Sequence, residues 1–225
     1  MLTRDDRTLS DGLAVVDAVA SLGLPHIGFK DTGVDHATLR LLNQRIRASG
    51  ARSYLEIVST ERSAALDSAR LAVDIGVDGV LGGTWVPETL ALLADRRMAY
   101  YPFPGLPLGH PTVLRGSPQR IMSDCQRFIA QGCAGVDLLA YRAVEAAPLD
   151  LVRQARQALG HHGRLICAGG IDSIERIQAL HTAGCDAFTV GSAVFSGAFC
   201  RGTLQDQLTT VLAAVDGGVG TARPP

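Results

Sequence analysis

Hydrophobic positions along the chain fall into two alternating kinds of segment. Short apolar runs of strand length alternate with longer stretches whose apolar positions recur at helical spacing, and the pair repeats about every 25 to 30 residues. The runs predict strands at 1–5, 26–31, 53–60, 79–84, 99–103, 135–141, 165–169 and 187–191. The helical stretches lie between them, at 11–22, 35–49, 61–75, 87–95, 118–131, 149–159, 174–183 and 204–215. Segments such as GVLGG, LICAGG and AFTVG are nearly continuous runs of apolar or small residues, as a parallel strand covered on both faces requires.

The helix ends carry matching chemistry. Gly23, Gly50, Gly76, Gly132, Gly160 and Gly184 each follow a helical stretch, where a left-handed cap residue closes the last turn. Ser117 precedes Pro118 in N-cap and N1 order, and Asp172 with Glu175 has capping-box spacing. Eight βα units predict a closed (β/α)8 TIM barrel, formed as one domain over residues 1–216, with the Gly- and Pro-containing stretch 217–225 as a frayed tail. The alternative is an open doubly wound sheet, but no G-x-G-x-x-G follows the first strand.

Composition narrows the function. The 225 residues are 47% hydrophobic and 19% charged with a net charge of −1, which suits a globular protein and offers no general attraction to nucleic acid or an anionic membrane. No apolar run approaches the ~20 residues of a membrane helix, and the first residues, MLTRDDRTLSDG, are polar where a signal peptide is apolar. The expected location is cytoplasmic. The five cysteines form no C-x-x-C pair and the six histidines no metal-ligand spacing, so no disulfide framework, no metal and no cofactor is expected.

Of the 21 basic residues, Lys30 is the one lysine. A chain that uses arginine everywhere else keeps a lysine where a guanidinium cannot do the work of an amine. In a barrel of this kind the active site lies at the C-terminal ends of the strands. The polar residues there are Arg4, Asp5 and Asp6; Lys30 and Asp31; Glu56, Ser59 and Thr60; Thr84; Tyr100 and Tyr101; Asp137, Tyr141 and Arg142. Alternation in HIGFK and SYLEI turns Lys30 and Glu56 towards the barrel axis on neighbouring strands. Burial lowers an amine pKa and an adjacent carboxylate can move protons, so the pair is a candidate acid/base or iminium-forming centre. Asp137 is a second candidate acid, and Arg4 and Asp6 could flank the mouth. Thr84 and Tyr101 could bind substrate hydroxyls. The long connection 105–116 contains His110 and predicts a lid over the site.

The two last strands end in small residues. Ala168-Gly169-Gly170-Ile171 leads into a helix and Val190-Gly191-Ser192-Ala193 into a short turn, so main-chain N–H groups there can approach an anion closely. On AGGI and VGSA the chain resembles the phosphate-binding (β/α)8 barrels, which include ribulose-phosphate epimerases and decarboxylases, biosynthetic isomerases and keto-deoxy-phosphogluconate aldolases. The resemblance implies a substrate phosphate held by Gly169, Gly170, Gly191 and Ser192. YPFPG followed by VDLLAY is similar to the corresponding stretch of those aldolases, whose strand-six Schiff-base lysine has no counterpart here, and the D-x-K-x-x-D pattern of the related decarboxylases is also missing.

The expected function is therefore an enzyme acting on a small phosphorylated metabolite, a sugar or keto acid, by isomerase, epimerase or aldolase-like lyase chemistry. Two alternatives remain beside it: a flavin-dependent oxidoreductase that grips the flavin phosphate with the same loops, and a barrel that binds a phosphometabolite without turnover. Assembly as a homo-oligomer is compatible with either.

Overall fold

The structure, a computed structural model, describes residues 1–216 apart from Arg97 and His110. Strands and helices alternate along most of that length. A first hairpin, β1 (Thr3–Arg4) and β2 (Arg7–Thr8), precedes α1 (Gly12–Val19). Four parallel strands follow, β3 (His26–Lys30), β4 (Arg52–Ile57), β5 (Gly79–Gly82) and β6 (Ala99–Tyr101), separated by α2 (His36–Ala48), α3 (Arg62–Ile75) and α4 (Val86–Leu93). A second hairpin, β7 (Leu106–Leu108) and β8 (Val113–Arg115), leads to α5 (Pro118–Ala130). The chain then runs through β9 (Gly135–Leu138), α6 (Pro148–Leu159), β10 (Arg164–Cys167), α7 (Ile174–Thr182) and β11 (Ala187–Phe188). It ends in the single turn α8 (Ser192–Phe195) and in α9 (Leu204–Asp216).

In place of the expected ring of eight, seven parallel strands form two sheets, β3-β4-β5-β6 and β11-β10-β9. Main-chain hydrogen bonds link β6 to the β9 segment on one side, and on the other Met1 and Leu2 reach both sheets' flanks. Ala134 N–H donates to the Tyr100 carbonyl and Asp137 N–H to that of Pro102, each at 3.0 Å. On the other side Leu2 N–H donates to Gly28 O at 2.7 Å and the Met1 nitrogen to Val190 O at 2.7 Å. The first segment differs from the expected parallel strand over 1–5. Asp5 and Asp6 adopt left-handed backbone angles (φ 51° and 58°), and the chain reverses there into an antiparallel hairpin. Aspartate tolerates that conformation better than most residues.

Alternation along the strands divides the core. Phe29, Leu55, Val80, Val136 and Leu165 pack outward against Leu39, Ile46, Ala69, Ile121 and Leu151 of the helices, in one continuous apolar layer. Inside, a smaller cluster joins Leu81, Tyr101 and Ile166, with Met1 and Tyr54 packed on it. The six expected helix-stop glycines all have positive φ, and Ser117 caps α5 by accepting from Arg120 N–H. At α7 the cap is Ser173, which accepts from Arg176 N–H, while Asp172 pairs with the Arg176 side chain instead of capping. Among the described residues no helix is long and apolar enough to cross a membrane.

The connection 105–116 is a hairpin docked on the body of the protein. Leu114 is buried, Gly105 N–H donates to the buried Asp124 carboxylate at 2.9 Å, and Val144 N–H donates to Leu114 O at 3.1 Å. His110 and the stretch 217–225, the expected lid residue and tail, lie outside the described residues.

Candidate active site

Parallel pairing of β3 with β4 sets Lys30 directly beside Glu56. The Lys30 Nζ lies 2.9 Å from Glu56 Oε1 and 2.9 Å from Asp6 Oδ1, and its residue is only 6% exposed. Asp6 reaches this position because the left-handed turn between β1 and β2 folds it inward. The end of β3 is clamped by Thr8, whose hydroxyl donates to Lys30 O and accepts from Lys30 N–H, both at 2.8 Å.

Arg142 completes the cluster. It lies in the short helical turn that follows β9, and its guanidinium grips Asp6 with two hydrogen bonds, Nη1 to Oδ2 at 2.6 Å and Nη2 to Oδ1 at 2.7 Å. The β7–β8 hairpin locks this pair from outside: Thr112 N–H donates to Asp6 Oδ2 at 3.3 Å, and Thr112 O accepts from Arg142 Nη1 at 3.2 Å. The expected lid thus contributes a main-chain brace to the site.

The charges follow from these contacts. Burial pushes the Asp6 carboxyl upward, but the hydrogen bonds from Arg142 and the charge of Lys30 outweigh it and hold Asp6 well below the usual carboxylate range. Burial alone would lower the Lys30 amine, as the sequence led us to expect. Two facing carboxylates, Glu56 and Asp6, reverse the sign, and the amine is raised above its ordinary value. Lys30 therefore rests as an ammonium. Asp6 has both oxygens engaged by Arg142, whereas Glu56 meets Lys30 alone in this cluster.

These side chains form one wall of a cavity of about 300 Å3 at the C-terminal ends of the strands. Gly169, Gly170, Gly191 and Ser192 line the same cavity. The N–H groups of Gly170, Gly191 and Ser192 find no main-chain acceptor among the described residues, while the Ser192 hydroxyl accepts from Asp5 N–H at 3.2 Å. Gly169 also serves the cation: a Cβ there would overlap the Arg142 side chain, and its φ of +74° disfavours any other residue.

The remaining candidates sit elsewhere. Asp137 is fully buried, with neither carboxylate oxygen hydrogen-bonded, and it does not line the cavity. Burial first, then the charge of Glu56, raises its pKa well above the ordinary value. Arg4 is exposed and stacks 5.7 Å above the Phe195 ring. Thr84 is half-buried and off the cavity wall. Tyr101 belongs to the inner apolar cluster and lines a different cavity. Asp31 accepts from the Ser68 hydroxyl at 2.6 Å and does not line the cavity. Arg142 was visible in the sequence only as a strand-end residue, and its partner Asp6 only as a mouth residue. The one local signal was the Asp-Asp pair itself, which favours a tight reversal.

No protein-family model matches the chain, and no curated protein sequence matches it. Solved structures do. Mandelate oxidase with (S)-2-phenylpropionate superposes with a TM-score of 0.64 at 15% identity over 93% of this chain and 68% of its own. A mandelate oxidase variant with a monooxide FMN adduct gives 0.62 at 16% identity, over 93% of this chain and 68% of its own. QR15, an aldolase, gives 0.64 at 14% identity with 89% of each chain covered. At such identities the likeness defines the fold: this is a mixed α/β protein with parallel sheets and a TIM-barrel-like architecture.

Proposed function

We propose that the two sheets are arcs of one closed (β/α)8 barrel and that the 300 Å3 cavity is the active site of an enzyme for a small phosphorylated sugar or keto acid. The bridging hydrogen bonds at both seams support closure. The observation that carries the functional reading is the Lys30 Nζ, 2.9 Å from each of two carboxylates, in a cavity walled on its other side by the two glycine turns.

A substrate carbonyl would lie at Lys30 and its phosphate at the main-chain N–H groups of the glycine turns. In the covalent form of the reaction Glu56 takes a proton from the ammonium, and the freed Nζ lone pair bonds the carbonyl carbon. The two protons lost by nitrogen end on the carbonyl oxygen, which leaves as water, and the iminium so formed draws electrons from the adjacent carbon. Loss of a proton there gives isomerase or epimerase chemistry; cleavage of the next carbon–carbon bond gives lyase chemistry. The aldolase among the structural neighbours accords with the second outcome. A flavin is less well accommodated, because about 300 Å3 is at the lower bound of small-molecule sites.

Borohydride trapping with three- to six-carbon phosphorylated carbonyl compounds, followed by mass analysis of the peptide containing Lys30, tests this directly. A reduced adduct on Lys30 is expected. Full turnover by Lys30→Arg, with no adduct in the parent protein, would remove the covalent step. Tight binding of the same compounds with no turnover would show a binding protein instead.

A further inference from the structure

A second and larger cavity, of about 860 Å3, runs along β11 to the opposite, N-terminal ends of the strands. Its walls come from β3, β11, α1, α7 and α9 and are apolar, with Leu2, Ile27, Val190, Leu208 and Val211 among the lining. Phe188, Val190 and Phe195, large apolar side chains on this wall, are only partly buried, so the packing of the last strand is incomplete. Unfilled apolar space on this scale costs stability unless something occupies it.

The strand-start end of the cavity is cationic. His26 and Arg164 line it, and register sets Arg52 directly beside His26. The carboxylates here are already taken: Asp186, which itself lines the cavity, pairs with Arg156 at 2.6 Å, and nearby Asp78 with Arg47 at 3.2 Å. Neither Arg52 nor Arg164 has an ion-pair partner among the described residues, and both are exposed. Their effect on a neighbour is direct. After burial, the charges of Arg164 and Arg52 are what hold the His26 ring below its ordinary pKa. Tyr54 adds a hydroxyl 3.0 Å from His26 Nδ1. A deep apolar pocket with an unneutralised guanidinium pair at one end is complementary to a molecule with an apolar body and an anionic head.

We propose that this cavity is a binding site for an aliphatic carboxylate, with the chain lying among α1, α7, α9 and β11 and the carboxylate held by Arg164 and Arg52. The guanidinium fork matches a carboxylate in two hydrogen bonds, and the volume lies in the upper part of the range for small-molecule sites. The site is separate from the Lys30 cavity, although Met1 and Thr189 line both. It does not depend on the reading of the polar site.

Calorimetric titration of the full chain with octanoate, decanoate, decanol and decyltrimethylammonium, all below micelle-forming concentrations, tests the assignment. Each buried methylene should tighten binding about fourfold, so decanoate should bind about tenfold or more tighter than octanoate. Decanol and the ammonium compound should bind decanoate's site at least about tenfold more weakly than decanoate itself. The double variant Arg52→Gln, Arg164→Gln, at two exposed positions that folding tolerates, should lose about tenfold for decanoate and change decanol little. Leu208→Trp should weaken decanoate and decanol together. Absence of decanoate binding, equal affinity for decanol, or an unchanged decanoate affinity in the double arginine variant would each overturn the proposal.

Discussion

Asp6 and Arg142 stand 136 residues apart in the chain and meet through two hydrogen bonds of 2.6 and 2.7 Å. The pair ties the first hairpin to the turn after β9, and through Asp6 it fixes one side of Lys30. Asp6 is thus the hinge of the cluster: it shares its charge between Lys30 and Arg142, whereas Glu56 pairs with Lys30 alone.

Removing that charge should be costly. Asp6→Asn leaves Lys30 and Arg142 with one carboxylate between them, and we predict a loss of about 3 kcal/mol in unfolding free energy at neutral pH. Because the folded-state pKa of Asp6 is depressed, its contribution is complete above the unfolded value of about 4 and declines as pH falls below it. Denaturant titrations at neutral pH and near pH 3 should show the gap between parent and variant shrinking on acidification. A gap independent of pH would count against the ion cluster as its source.

Asp137 should behave with the opposite sign. Its folded-state pKa is raised, so the stability it lends is complete below the unfolded value and is lost as pH rises towards the folded one. An amide mimics the neutral acid but cannot ionise. Melting curves of Asp137→Asn and the parent should therefore diverge in favour of the variant as pH rises above the unfolded value of about 4. Parallel pH dependences would mean that Asp137 is ionised in the fold.

Two glycine substitutions separate backbone strain from crowding at the site. Gly23 has φ +59° with nothing within 4 Å of where an added methyl would stand, so Gly23→Ala should cost about 1 kcal/mol from backbone conformation alone. Gly169→Ala carries the same backbone cost and must also displace Arg142, so it should cost about 3 kcal/mol and weaken phosphate binding. Equal losses in the two variants would show that Arg142 moves aside freely.

Glu56→Gln tests the proton route. Lys30 stays an ammonium beside Asp6, but the free base is gone, and borohydride-trapped adduct should form about 100-fold more slowly. Inorganic phosphate should bind at least as well, since the cavity loses a negative charge. Trapping at the parent rate would assign the proton to another acceptor.

The sequence by itself determined the alternation of strands and helices, because burial on both faces of a parallel strand and on one face of a helix leaves periods that any window of the chain displays. It also placed Lys30 beside Glu56, since adjacent parallel strands carry equal alternation to the same end, and it marked the two glycine turns that line the cavity with them. Tertiary structure alone decided the rest. The union of Asp6 with Arg142 depends on how distant turns converge, and no local pattern encodes a contact over 136 residues. The upward shift of the Lys30 amine comes from Glu56 first and then from Asp6, a second carboxylate that sequence spacing did not supply. Tyr101 and Asp137 share the inward alternation of Lys30, yet neither lines the cavity, because strand stagger, which periodicity does not record, sets which inward side chains reach it.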